Sequence, residues 1–352
     1  MNQNETRGTV DFLESIGKVF RRFIFRILSV GPIPAHIAFI MDGNRRFAKK
    51  NNLEDGAGHK AGFSALMSIL KYCYELGVRY VTVYAFSIDN FKREPEEVQI
   101  LMDLLLEKIE SLLEKESIVN QYGIRVYFIG DLRLLNDPVK TAAEKVMQYT
   151  AKNFKYSLLV CIAYTSTDEI AHAVEEACNA KWSDVINPFK DSFGGHVDAT
   201  LGGDMSVLAV SNESKDNADR EPGLANSSLF SRCRCRKCVT MPFDEVDGKN
   251  EVYEPNNKDP SGNCLLYKQE HSVIKLVDIE KHMYMSVAPY PDILVRTSGE
   301  NRLSNFLLWQ TSTCPLYSPK ALWPEIGFWH LVCAILIFQR NFGYLERKKK
   351  QL

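Results

Sequence analysis

Apolar positions recur along this chain in two alternating rhythms. Short runs rich in β-branched and aromatic residues at 37–41, 78–86, 124–129, 157–163 and 292–295 predict strands. Apolar residues at helical spacing predict helices over 10–30, 63–76, 95–118, 138–151, 167–180, 278–287 and 323–338. Pro95 suits a first helical turn, and Gly77 closes the helix before the second strand. Strands that alternate with helices predict an α/β fold with a largely parallel central sheet and helices on both faces.

The rhythm stops near Lys181 and resumes at Val273. Between them Gly, Ser, Asn, Asp and Pro dominate without a sustained period, which predicts a disordered insertion over 181–272. The rest divides into an N-terminal amphipathic helix (1–33, with 1–9 loose), one domain assembled from 34–180 and 273–341, and a basic tail over 342–352. The helix at 10–30 interleaves Phe20, Phe23 and Ile27 with Arg21, Arg22 and Arg26. It suits an interfacial membrane helix and an ordinary helix packed on its own domain or a partner equally well.

Composition narrows the function. With 352 residues and 45% hydrophobic content the chain can bury a substantial core, and a formal net charge of -1 gives no reason to expect nucleic acid. Nine cysteines are scattered, and no secretory signal pattern opens the chain, so a reducing compartment is expected. Cys233, Cys235, Cys238 and Cys264 are enough for a zinc ion in number, but they lack the paired C-x₂-C spacing and sit among arginines and lysines. Free thiols on a basic loop are the expectation. No apolar run approaches the roughly 18 residues that span a bilayer. Lys349 and Lys350 match the spacing of a retrieval signal of endoplasmic reticulum membrane proteins; with no spanning segment, a frayed basic end is expected.

Candidate chemistry collects at predicted strand ends. Asp42-Gly43-Asn44-Arg45-Arg46 follows the first strand, Ser87-Ile88-Asp89-Asn90-Phe91-Lys92-Arg93 the second, and Arg296 through Arg302-Leu303-Ser304 the last. In open α/β sheets ligands bind outside the carboxyl ends of strands, and helix N-termini offer free N–H groups to phosphate. One carboxylate for a divalent cation, surrounded by guanidinium groups, suits diphosphates, and the cations suffice for two. There is no Walker loop, dinucleotide fingerprint, nucleophile elbow or Cys–His pair. The inventory fits a reaction driven by metal and charge stabilisation of a leaving diphosphate.

Five stretches carry a family resemblance: HIAFIMDGNRR at 36–46, GHKAG at 58–62, YAFSIDNFKR at 84–93, IGDL at 129–132 and DILVRTSGENRLSNFLLWQ at 292–310. In these, in the same order, the chain resembles the cis-prenyltransferases, the undecaprenyl and dehydrodolichyl diphosphate synthases, and is more similar to the dehydrodolichyl branch. The resemblance implies a single catalytic domain over 34–180 and 273–341 with a hydrophobic tunnel between sheet and helices. It also implies repeated addition of isopentenyl diphosphate to an allylic diphosphate, farnesyl diphosphate by expectation, with new double bonds in cis geometry. By similarity Asp42 would organise Mg²⁺. Gly43, Asn44, Arg45, Arg46 and His59 would hold the allylic diphosphate, with Phe47 and Phe91 along its prenyl chain. Asn90 and Ser87 would assist proton removal, beside Ile88 and Asp89, and Arg93 would support the phosphates. Arg296, Arg302 and Ser304, with Leu303, would bind isopentenyl diphosphate.

Three positions depart from the bacterial pattern. Asp55 replaces a phosphate-contacting arginine and Pro315 a glutamate near the metal. After Phe338 no Arg-x-Gly triplet follows. Catalytic subunits without that triplet resemble this chain and borrow it from a second subunit of the Nogo-B receptor type, so a heteromer on the cytosolic face of the endoplasmic reticulum membrane is expected. The stretch 181–272 has no counterpart in the family's short connection. The alternative, a non-catalytic partner or scaffold subunit, fits poorly with the presence of Asp42, Asn90, Arg296 and Arg302 together.

Overall fold

The computed structural model describes residues 3–54, 56–192 and 273–349. Most of 181–272 with its cysteine cluster, and Asp55, therefore lie outside the described residues. From the N-terminus, α1 (Gln3–Leu28) leads to β1 (His36–Ile40), α2 (Asn44–Lys50), α3 (Ala57–Leu76), β2 (Tyr80–Ser87) and a 3-10 turn over Ile88–Lys92. Next come α4 (Pro95–Ser111), α5 (Ile118–Tyr122), β3 (Ile124–Ile129), α6 (Asp137–Tyr149), β4 (Tyr156–Tyr164) and α7 (Ser166–Ser192). After the gap, α8 (Leu276–His282), β5 (Ile293–Arg296), β6 (Leu316–Tyr317) and α9 (Phe328–Lys349) complete the chain.

The strands form one sheet of order β3-β4-β2-β1-β5-β6, and every pairing is parallel. All five residues of β1 are buried, as a strand covered on both faces requires. Alternation divides them: Ile37 and Phe39 join the larger core with α3, α4, α6 and α9, while Ala38 and Ile40 join a smaller core with Phe306 and Leu307. β1 pairs with β2 on one side and β5 on the other, with Ile40 beside both Tyr84 and Arg296. Three strand ends distant in sequence thus become neighbours at the point where the strand order reverses, where open α/β sheets bind ligands.

Several boundaries differ from expectation, each for a local reason. The helix expected over 95–118 stops at Ser111; Ser117 then caps α5 by accepting from the Asn120 amide, and Gly123 at φ 64° ends it. α3 starts at Ala57, six residues before the apolar stripe, which places His59 and Gly62 on the helix. The predicted helix over 323–338 is two elements. Trp323–Glu325 is a 3-10 turn, and α9 begins at Phe328 and continues through the supposed tail to Lys349. Residues 278–287 likewise divide into α8 and a 3-10 turn at Tyr284–Val287. α7 runs past 180 to Ser192, and α1 begins at Gln3 within the stretch expected to be loose.

His36, at the start of β1, is fully buried. Its Nδ1 lies 2.6 Å from the Pro289 carbonyl and its Nε2 2.7 Å from Thr82 Oγ1. A carbonyl only accepts, so Nδ1 carries the proton and Nε2 accepts from the threonine hydroxyl. Protonating Nε2 breaks that bond and buries a charge. Burial accordingly lowers the His36 pKa from 6.5 to about 4, against the raising influence of the Pro289 hydrogen bond and Asp292. Between those values the unfolded chain binds more protons, so the stability contributed is complete above pH 6.5 and lost as pH falls toward 4. The difference corresponds to about 3 kcal/mol. Urea midpoints measured at pH 7.5 and 4.5 should fall less for His36→Gln than for the wild type; equal falls would refute this account.

Candidate active site

Asp42 directly follows β1 in the extended exit of the strand. Its backbone is clamped: the amide donates to Thr297 Oγ1 at 3.0 Å, and the same hydroxyl donates to the Asp42 carbonyl at 2.6 Å. The Trp323 amide reaches that carbonyl too, at 2.9 Å. The carboxylate is held by two guanidinium groups, Arg296 Nη2 to Oδ2 at 2.9 Å and Arg46 Nη2 to Oδ1 at 3.1 Å. Half-burial alone would raise the Asp42 pKa, but hydrogen bonds from Arg296 and Arg46 outweigh it and hold the group below the usual carboxylate value. Asp42 is therefore an anion at neutral pH.

Gly43 makes the turn into α2 at φ 111°, where a Cβ would meet Leu322 Cδ2 at 2.9 Å; both the backbone angle and the space exclude other residues. The first turn of α2 is set against α3, because Gly58 and Gly62 let the backbones approach. A Cβ at Gly62 would stand 2.2 Å from Asn44 Oδ1. That oxygen is buried against α3 without a hydrogen-bond partner. Arg45 and Arg93 both bind Glu97, at 3.3 and 2.6 Å, so one carboxylate aims two cations. Arg46 also donates to Ser298 Oγ at 2.6 Å. Desolvation, then Arg93 and Arg45, lower the His59 pKa, so the imidazole is neutral at pH 7 and available as a hydrogen-bond donor.

β5 delivers Arg296, which is 3% exposed. Its Nη1 donates to Ser304 Oγ at 2.7 Å and to the Arg302 carbonyl, while its Nε has no partner. The following loop carries non-glycine residues in the left-handed region, Ser298 (φ 68°), Ser304 (φ 49°) and Asn305 (φ 57°). Such backbone is sparsely populated and clusters at ligand sites. Asn305 is pinned to α7, with Oδ1 accepting from Thr167 N and Oγ1 at 3.1 Å. At the end of β2, Ser87 caps its 3-10 turn by accepting from the Asp89 amide, which places Asn90 beside the same opening.

These groups rim a cavity of about 700 Å³ between the sheet and the walls formed by α3 and α4. Its mouth includes Asp42, Asn44, His59, Ser87, Asp89, Asn90, Arg93, Arg296, Arg302, Ser304 and Asn305; beyond it the lining is almost wholly apolar. Gly43, Arg45, Arg46, Phe47, Ile88, Phe91 and Leu303 stand outside the lining. Phe91 packs edge-on to Phe86 at 4.9 Å, and Leu303 lies against the smaller core. Thr297, Ser298, Asn305 and Glu97 were not singled out from the sequence. Only Glu97, four residues after Arg93 on the same helical face, had a readable signal. Pro315 contributes a backbone carbonyl to Leu294 and has no side-chain donor for a cation.

A family model described as putative undecaprenyl diphosphate synthase matches residues 40–216 and 241–343. The chain belongs to the cis-prenyltransferase family. This cis-prenyltransferase is 54% identical over 340 residues to dehydrodolichyl diphosphate synthase 6 of Arabidopsis thaliana, covering 97% of this chain and 94% of that protein. It is 46% identical to rubber cis-polyprenyltransferase HRT2 of Hevea brasiliensis, over 96% of this chain and 95% of that one. It is 35% identical to the dehydrodolichyl diphosphate synthase complex subunit DHDDS of Homo sapiens, covering 95% and 78%. Its fold is similar to lavandulyl diphosphate synthase from Lavandula x intermedia, solved with dimethylallyl diphosphate, with a TM-score of 0.58 at 20% identity over 87% and 95% of the two chains. The match enters 181–272 from both sides, so the internal stretch outside it is 217–240. The enzyme is a prenyl transferase whose substrates are allylic and isopentenyl diphosphates and whose product is a polyprenyl diphosphate.

Proposed function

We propose that this cis-prenyltransferase elongates farnesyl diphosphate with isopentenyl diphosphate, using Mg²⁺, into a long cis-polyprenyl diphosphate for dolichol synthesis and glycosylation. The observation that carries this reading is the junction of a cation-rich rim with an apolar cavity of about 700 Å³. The rim has two arms, one of Asn44 and His59 and one of Arg93, Arg296, Arg302 and Ser304, with Asp42 between them; Arg45 and Arg46 stand just outside the first.

The donor chemistry fits Mg²⁺, which is commonly held by one or two carboxylates together with substrate phosphates. Asp42, at the mouth of the cavity, would supply the carboxylate. When bound, the ion neutralises diphosphate charge and improves the leaving group. Arg45, Arg46 and His59 hold the allylic diphosphate, and Gly43 lets the backbone turn beneath it. The double bond of isopentenyl diphosphate attacks allylic C1 as the C1–O bond breaks and diphosphate departs. A proton then leaves C2 of the isopentenyl unit and the new double bond forms in the chain. Asn90 and Ser87 orient that proton's acceptor, and Arg296, Arg302 and Ser304 fix the isopentenyl diphosphate. Apolar walls keep water from the allylic cation. Supplying geranyl, farnesyl and geranylgeranyl diphosphates in turn with labelled isopentenyl diphosphate tests the primer: farnesyl should give the highest kcat/KM, and a clear preference for another would overturn it.

We place the enzyme at the cytosolic face of the endoplasmic reticulum membrane, with a second subunit of Nogo-B receptor type. No described helix is long and apolar enough to cross a membrane. One side of α1 packs inward through Phe25 and Leu28, while Val19, Phe23 and Ile27 are 64%, 58% and 53% exposed beside the exposed Arg22 and Arg26. That is the layout of an interfacial helix. Phe23→Ser with Ile27→Ser should weaken binding to anionic vesicles about tenfold or more by the apolar area lost; unchanged binding would favour a protein-packed face. For the partner, the human and mouse relatives are named as subunits of a dehydrodolichyl diphosphate synthase complex. Activity of the chain alone should be low and rise on adding the second subunit, and full activity alone would refute the heteromer.

A further inference from the structure

Two guanidinium groups grip the Asp42 carboxylate, and each also meets the hydroxyl of a serine in left-handed backbone. Arg296 reaches Asp42 Oδ2 at 2.9 Å and, through its other terminal nitrogen, Ser304 Oγ at 2.7 Å. Arg46 reaches Asp42 Oδ1 at 3.1 Å and Ser298 Oγ at 2.6 Å, both from Nη2. Arg296 is nearly buried on β5, so packing already fixes it. Arg46 stands on the short helix α2 with its side chain 50% exposed. An exposed arginine stays in one geometry only where its N–H groups are held.

Ser298 has φ 68°, in a region that glycine populates freely and other residues sparsely. Gly299, the next residue, has the same conformation at φ 71° and is exposed. The loop thus carries the favoured residue at one position and a strained serine at the other, where the hydroxyl meets Arg46. The Ser298 amide donates to the Ala321 carbonyl at 2.7 Å, which makes Oγ a fixed acceptor. Nη2 commits both of its hydrogens to Asp42 and Ser298, and three N–H groups remain on Nη1 and Nε for a second anion. Nη1 lies 3.9 Å from Glu300 Oε1, too far for a hydrogen bond. We propose that Ser298 is a positioning residue whose hydroxyl locks the Arg46 fork, leaving Nη1 and Nε for the allylic diphosphate. The proposal rests on the reading that Arg46 holds that diphosphate. Ser298 itself acts only through Arg46.

The test measures binding of farnesyl thiodiphosphate, whose C1–S bond resists cleavage, to the full chain, with its second subunit if activity needs one. Melting temperature and the KM of each substrate are read alongside. Ser298→Ala and Ser298→Gly should each weaken analogue binding about three- to tenfold, the scale of one hydrogen bond. The KM for farnesyl diphosphate should rise while that for isopentenyl diphosphate keeps its wild-type value. Stabilities should diverge: the glycine variant relieves the backbone and melts no lower than the wild type, whereas the alanine variant keeps the strain and melts no higher. With Arg46→Gln already present, Ser298→Ala should change binding by less than about twofold. Wild-type binding in both serine variants, losses that track melting temperature, or a full loss in the Arg46→Gln background would overturn the proposal. Wild-type binding in Arg46→Gln alone would overturn the reading that Arg46 holds the diphosphate, and the proposal with it.

Discussion

Asp42→Asn should reduce isoprene addition by at least about a hundredfold while the protein stays folded. The side chain keeps its size and its one amide oxygen can still accept from Arg296 or from Arg46, though not from both, and the charge available to a divalent cation is gone. Guanidinium groups then face both diphosphates without that anion among them, so substrate binding should persist while turnover fails. Asp42→Ala should behave differently. It leaves the nearly buried Arg296 without its carboxylate, and breaking such a pair costs about 3–5 kcal/mol. Labelled isopentenyl incorporation and thermal melting, measured on both variants, separate the two effects. Near-normal turnover in Asp42→Asn would remove Asp42 from the chemistry.

Arg296→Met should cost activity by a similar factor for a different reason. Arg296 joins Asp42, Ser304 and the Arg302 carbonyl with one planar fork, so its loss disengages the β5 loop from the end of β1. A lysine cannot replace it, because a single ammonium cannot reach three acceptors in that geometry. Removing Arg296 also removes the strongest influence that lowers the Asp42 pKa, leaving burial opposed by Arg46 alone. In the wild type Asp42 loses its charge only as pH falls below the usual carboxylate range; in Arg296→Met protonation should begin at higher pH. The acid limb of kcat/KM should therefore shift toward neutrality. If residual activity keeps the wild-type acid limb, Arg296 does not control the Asp42 charge.

Much of this site is legible in the sequence because buried parallel strands have a distinct pattern. Ile37–Met41 is a run that only a strand covered on both faces accommodates, and polar groups at its end have one plausible place to go. The assignment of Asp42, Asn90 and Arg296 to one rim followed from three such ends. What escaped depends on adjacency that no local pattern encodes. Thr297 reads as an ordinary residue after a strand until β5 lies beside β1 and its hydroxyl clamps Asp42. Gly58 and Gly62 read as helix breakers, yet they lie within α3, where their missing side chains admit α2. The long helix expected over 95–118 kept its apolar period past Ser111, but Ser117 offered a competing cap. β6 consists of Leu316 and Tyr317, too short to show a period.

The central claim is that this rim and cavity join isopentenyl units to an allylic diphosphate. The most direct measurement incubates the purified full chain, with and without a second subunit of Nogo-B receptor type, with farnesyl diphosphate, labelled isopentenyl diphosphate and Mg²⁺. The account predicts a ladder of labelled, butanol-soluble cis-polyprenyl diphosphates that disappears in Asp42→Asn. A folded wild-type protein that incorporates no label under either condition, or an Asp42→Asn variant that yields the same ladder, would contradict it.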